Sequence, residues 1–191
     1  PGILASLDRY PYGCTEQITS KALPLLYFDD VAVALELPHA GDIRLRIEEA
    51  VAEVLTNQNA SGAFGLWAPV DYGNDLWLDA FVTDFLSRAR AQGFAVPDPA
   101  FRSALDNLRN QVNYHADFDN GGEALAYALM VLARERAATV GDLRYYADTV
   151  PEAFATPMAA ANLGAALASY GDQARADRMF RQAGGQIDLT V

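Results

Sequence analysis

One cysteine, one lysine and two histidines are the only thiol, side-chain amine and imidazoles in 191 residues. The lone Cys14 excludes an internal disulfide and any cysteine-rich zinc site. Positive charge is also scarce. Fourteen Lys and Arg stand against 25 Asp and Glu, for a net charge of −11. A nucleic-acid backbone needs a basic stripe, so it is not an expected partner. Lys21 is the only lysine beside thirteen arginines, a balance that fits the codon bias of a GC-rich genome. Long apolar runs are missing too. The longest nearly uncharged stretch, residues 153–171, is interrupted by Pro157, Asn162, Gly164, Ser169 and Gly171, so membrane insertion is not expected. No basic segment leading into an apolar run opens the chain, and the start at Pro1 reads as a cut from something longer. Disorder is excluded by a composition that is 51% hydrophobic, enough to offset the entropy of ordering.

What is present is helical periodicity. Ile43, Ile47, Ala50, Val51, Val54 and Leu55 follow an i, i+3, i+4 pattern opposite Arg44, Arg46, Glu48, Glu49 and Glu53. Asp42 sits at the N-cap of that helix, and residues 57–62 read as its exit loop. A second helix is predicted from about Asn74 to Gln92 with Gly93 as its stop, and a third opens at Pro97-Asp98-Pro99. Residues 123–136 and 159–170 form helices apolar on nearly every side, and residues 172–183 return to an amphipathic pattern. Short turns are placed at Gly141-Asp142, Ala155-Thr156-Pro157 and Gly171-Asp172. Buried helices alternating with covering ones predict antiparallel hairpins, arranged around an axis as an α/α toroid or in line as a solenoid. No linker is visible, so residues 1–191 are read as a single all-α domain or most of one.

The informative segment is Tyr10-Pro11-Tyr12-Gly13-Cys14-Thr15-Glu16-Gln17. Pro11 and Gly13 break regular structure, and Thr15 to Phe28 can be helical until Pro24 disturbs the helix. Cys14 is thus placed at a helix N-terminus, which favours the nucleophilic thiolate. Gln17 lies three residues on, within reach on the same helical turn. A thiolate beside a carboxamide can displace ammonia and leave an internal thioester, provided the fold holds the ring in place.

Pro11-Tyr12-Gly13-Cys14-Thr15-Glu16-Gln17 closely resembles the thioester motif of the α2-macroglobulin and complement family, in its bacterial Cys-x-Glu-Gln form. Gly62-Ala63-Phe64-Gly65-Leu66-Trp67 and the stretch from Asp75-Leu76-Trp77 to Val82 resemble segments that follow the motif in that family, and the helix over residues 124–133 continues the likeness. The resemblance implies that Cys14 and Gln17 carry the thioester, with Glu16 as the motif's intervening carboxylate. It implies that Tyr10 or Tyr12 shields the bond from water, although Tyr12 reads equally well as a core aromatic at a turn. It further implies a broad protease inhibitor, not an enzyme. Bait cleavage elsewhere in the parent exposes a single-use electrophile, and a lysine amine of the protease attacks it. No cofactor is implied beyond the intramolecular cross-link. The implied setting is a periplasmic or cell-envelope parent, an inner-membrane lipoprotein, whose partners are target proteases, its own other domains and a peptidoglycan synthase. Family thioester domains are longer than this chain, so the toroid is expected to lack a part.

His115 lies in a polar loop broadly comparable to the histidine that modulates acyl transfer in complement relatives, with a shorter spacing to the next helix. A plain surface histidine is the competing reading, and His39 after Pro38 is read as unremarkable. Three rivals stand beside the thioester. One is a cysteine hydrolase with Cys14 as nucleophile and His115 as base, oriented by Asp117 or Asn120. Another is a toroidal enzyme of the cyclase kind, with Asp117-Phe118-Asp119 as its only candidate metal motif, or of the glycosidase kind with two facing carboxylates. The third is a helical interaction module with an inert Cys14. The favoured reading has no metal ligands.

Overall fold

The computed structural model describes residues 13–34, 40–69, 75–115 and 118–186, with side chains left out of account at 29–34, 40–42 and 115. Among these residues the ordered elements are helices: α1 (Thr15–Ala34), α2 (Ala40–Thr56), α3 (Leu76–Ala91), α4 (Asp98–His115), α5 (Asp119–Arg134), α6 (Val140–Thr149), α7 (Pro157–Ser169) and α8 (Gln173–Gly185). The all-helical expectation holds. None of the helices is long and apolar enough to cross a membrane. The chain divides into two compact units, Pro1–Asn74 with Phe81–Ser103 and Asp75–Ala80 with Ala104–Val191.

In the first unit α1 packs on α2. Ile18, Ala22, Leu25 and Leu26 of α1 are buried, as are Ile43, Ile47, Val51 and Val54 of α2. The i, i+4, i+8 spacing of Ile43, Ile47 and Val51 puts them on one apolar face, as the pattern predicts. Pro24, expected to disturb α1, lies inside it, and the helix runs on to Ala34. Pro24 and Ser20 are both exposed, so the carbonyl that loses its i+4 donor is on the solvent side, where water can satisfy it. Further along, the α1 tyrosine Tyr27 accepts a hydrogen bond from Arg88, whose Nε is 2.8 Å from the buried Asp84 carboxylate. Burial works against the Arg88 charge, but Asp84 and Tyr27 more than offset it and hold the guanidinium above its ordinary range.

The second unit is built on α7. It packs against α5 and α8 and touches α6. α5 and α7 are the apolar helices expected from sequence, with eight and six buried residues respectively. α8 buries only Ala176, Met179 and Ala183, the i, i+3, i+7 stripe of a covering helix. Pro157 stands in the first turn of α7, and the N-cap Thr156 Oγ1 accepts from the Ala159 N–H at 3.1 Å. Gly141-Asp142, read from sequence as a turn, instead belongs to the first turn of α6. The periodicity does not announce that helix because it is short and buries only Leu143 and Ala147. α5 enters through three residues in the left-handed region, Asn120, Gly121 and Gly122. Two glycines are the residues that adopt this turn without steric cost.

Candidate functional site

Cys14 immediately precedes α1, and its carbonyl accepts the first helical hydrogen bond, from the Ile18 N–H at 2.9 Å. It is therefore the N-cap residue, with Gln17 three positions on in the first turn. The Gln17 side chain folds back, and its Oε1 accepts from the Cys14 backbone N–H at 3.3 Å. This is the returning half of a capping box, in which a Gln or Glu of the first turn satisfies the N-cap donor. The outcome is chemical as well as structural: a carboxamide is hydrogen-bonded to the backbone of a cysteine in the same turn. Cys14 is a free cysteine, 8% exposed, whereas Glu16 and Gln17 are exposed.

The N-terminus of α1 is fixed by Thr15, which sequence reasoning passed over. Its backbone N–H donates to Leu66 O at 2.8 Å and its Oγ1 to Gly65 O at 2.5 Å, while Asn57 Nδ2 donates to that same Oγ1 at 2.8 Å. All of Thr15 is buried. The receiving loop is ordered by its own bonds. Gly65 N donates to Asn57 O, Asn59 N donates to Ala63 O, and Asn59 Oδ1 accepts from Ser61 and Ala63 N–H groups. Gln58 Nε2 donates to Ala100 O at 3.0 Å and ties the loop to the start of α4. Gly62 has φ +93°, a left-handed conformation that suits glycine in this tight return. The stretch from Gly62 to Trp67 is thus the seat of the Cys14 turn. Ala63 and Phe64 are buried beneath it, and Leu66 and Trp67 are exposed.

The other sequence candidates are placed less fully. Tyr10 and Tyr12 lie outside the described residues, as do His39 and Asp117. His115 is the last residue of α4 and not part of a loop, and its side chain is outside the description. Phe118 packs edge-on against Phe154, with ring centroids 5.6 Å apart, and Asp119 opens α5. Among the described residues no group of three or more His, Cys, Asp or Glu is disposed to hold a metal ion. A second buried polar centre went unremarked in the sequence. Asp79, 1% exposed, accepts from Asn107 Nδ2 at 2.9 Å and Gln111 Nε2 at 2.6 Å. The signal was available as an acidic residue inside the apolar run of α3.

The family model for the A-macroglobulin TED domain matches residues 1–136. This chain belongs to that family. Bacterial α2-macroglobulins are its relatives over nearly the whole chain. That of Escherichia coli (strain K12) is 31% identical over 186 residues, covering 91% of this chain and 11% of the relative. That of Xylella fastidiosa (strain Temecula1) is 30% identical, covering 92% and 11%. The chain thus spans about a ninth of these relatives' length. A crystal structure of native E. coli α2-macroglobulin from domain MG7 to the C-terminus superposes with a TM-score of 0.83 and 29% identity, covering 98% of this chain and 31% of that one. A structure of Salmonella α2-macroglobulin reacted with methylamine gives a TM-score of 0.83 at 28% identity, covering 97% and 13%. The α/α class of the TED domain expected from sequence therefore holds.

Proposed function

We propose that Cys14 and Gln17 form an internal thioester and that this TED domain is the covalent trap of a larger protease inhibitor. The observation that carries the reading is the Gln17 carboxamide held at 3.3 Å on the backbone N–H of the buried Cys14. In the forming step the Cys14 thiolate attacks Gln17 Cδ. The Sγ–Cδ bond forms, the Cδ–Nε2 bond breaks, and ammonia leaves carrying the thiol proton. The carbonyl oxygen that gains charge in this step is the atom already accepting from the Cys14 N–H, at the positive end of α1. The Thr15 clamp keeps this turn from relaxing, which is what ring closure requires.

In the trapping step an amine attacks Cδ, the Cδ–Sγ bond breaks, and Cys14 departs as a thiol. For the inhibitor the amine is a lysine of the attacking protease, admitted after cleavage of a bait segment elsewhere in the parent. The site is used once, so the domain is an inhibitor and not an enzyme, and it uses no metal or cofactor. Glu16 flanks the turn, and Tyr10 or Tyr12 shields the bond from water. His115 is proposed only as a modulator of acyl transfer. Residues 1–191 act as one thioester domain. Partners are target proteases, other domains of the parent and a peptidoglycan synthase in a periplasmic, envelope-anchored setting, all of which rest on the family. The Salmonella relative's reaction with methylamine supports the amine chemistry.

Intact mass of the chain, before and after methylamine, tests the reading. The expected result is a mass one ammonia below the sequence value and no titratable thiol, followed by uptake of one methylamine with release of one thiol. Full sequence mass, a free thiol and no uptake would overturn it.

A further inference from the structure

A thioester is as open to the protein's own amines as to a protease's, and this chain has almost none to offer. Thirteen of its fourteen Lys and Arg positions are arginine, whose guanidinium stays charged and does not act as a nucleophile. The exception is Lys21, and its position is specific. It lies on α1 four residues beyond Gln17. Residues at i and i+4 of a helix share a face with Cβ atoms about 5–6 Å apart. Helical side chains also lean toward the N-terminus, which for Lys21 is the direction of the turn that carries Gln17. Gln17 is exposed and Lys21 half-buried.

We propose that Lys21 is an internal acyl acceptor, forming a Gln17–Lys21 isopeptide that retires the thioester when no outside amine arrives. The inference rests on the thioester reading and specifies how that same site is silenced. In the step, the neutral Lys21 Nζ attacks Gln17 Cδ. The Nζ–Cδ bond forms and the Cδ–Sγ bond breaks. One Nζ proton goes, through solvent, to the departing Cys14 thiolate. The product is a side-chain lactam across one helical turn, with the same mass as the thioester and a free thiol. Because amines react in their neutral form, the conversion quickens as pH rises.

The test incubates the purified 191-residue chain and its Lys21→Arg variant at pH 7 and pH 9. It follows intact mass, thiol titre and methylamine uptake, with peptide mapping at the end. The expected wild-type product is one ammonia short of the sequence mass, has a free thiol, refuses methylamine and yields a Gln17–Lys21 cross-linked peptide. The variant is expected to keep its methylamine-reactive state on the order of tenfold longer, a conservative figure for intramolecular delivery. Equal lifetimes in the two proteins, with uptake retained and no cross-link, would overturn the isopeptide and leave the thioester standing. Loss of reactivity with a mass gain of one water, giving glutamate at position 17, would also overturn it, since water would then be the faster nucleophile. Sequence mass in both proteins from the outset, without uptake, would remove the thioester and the isopeptide together. Far-ultraviolet circular dichroism of the variant verifies that any difference is not unfolding.

Discussion

At the scale of single residues, the site depends on a few polar atoms of Cys14, Thr15, Gln17 and Asn57. Removing the reactive atoms gives the simplest prediction: Cys14→Ser and Gln17→Ala each abolish methylamine uptake, read by intact mass, while the helical circular dichroism is kept. Thr15 makes a different prediction. Thr15→Ala deletes the hydroxyl that accepts from Asn57 and donates to Gly65, leaving a buried amide without its acceptor. A buried group stripped of its partner costs about 1–3 kcal/mol, measurable by urea unfolding. The variant is also expected to form the thioester more slowly, because its turn is less firmly held. The closeness of Cys14 and Gln17 was legible in the sequence because both lie in one helical turn, where spacing alone determines proximity. Thr15 was not, because its partners are more than forty residues away and nothing local marks a threonine as a tertiary anchor. Asp79 was overlooked for the same reason: Asn107 and Gln111 stand on another helix.

At the scale of elements, the long amphipathic and all-apolar helices were readable because their periodicity persists over several turns. α6 and the continuation of α1 past Pro24 were not. In α6 the packing of two residues outweighs a glycine near its start, and in α1 a solvent-side carbonyl makes the proline tolerable. The turn into α5 allows a graded prediction. Gly93 and Gly122 both have positive φ, +84° and +74°. A Cβ at Gly93 would meet nothing within 4 Å, whereas one at Gly122 would lie 3.1 Å from the Ala153 carbonyl oxygen. Gly93→Ala should therefore lose only the backbone strain of about 1–2 kcal/mol. Gly122→Ala should lose distinctly more, because a backbone oxygen cannot swing aside. Thermal unfolding of the two variants side by side measures the difference.

At the scale of the whole molecule, a net charge of −11 is partly organised by arginine. In the second unit Arg175 bonds both Asp148 and Asp172, Arg178 bonds Asp148, and Arg144 bonds Asp172 at 2.7 Å. Hydrogen bonds from Arg175 and then Arg178 hold the Asp148 carboxyl below its ordinary value of 3.8, and Arg144 does the same for Asp172. Carboxyls with lowered values in the folded state bind protons more weakly than in the unfolded chain. Their stabilising effect is therefore complete above about pH 4 and is lost as pH falls through the folded values. Thermal midpoints are expected to hold steady from pH 7 down to about 5 and to drop below pH 4. Asp148→Asn should blunt that drop, and added salt should weaken the pairs at neutral pH. The family resemblance was legible at this scale because three motifs occur in the right order along one chain.

The Thr15 clamp also orders events in time. Its partners are encoded 42 to 51 residues after it. A ribosome adding about 5–20 residues per second therefore needs several seconds between making Cys14 and supplying the loop that fixes it. Throughout that interval Cys14 and Gln17 are an ordinary thiol and an ordinary amide on a nascent chain. The proposed thioester is thereby denied to the ribosome, which handles the unfolded polypeptide and is rich in amines. Formation of the proposed thioester becomes a report that the first unit has folded.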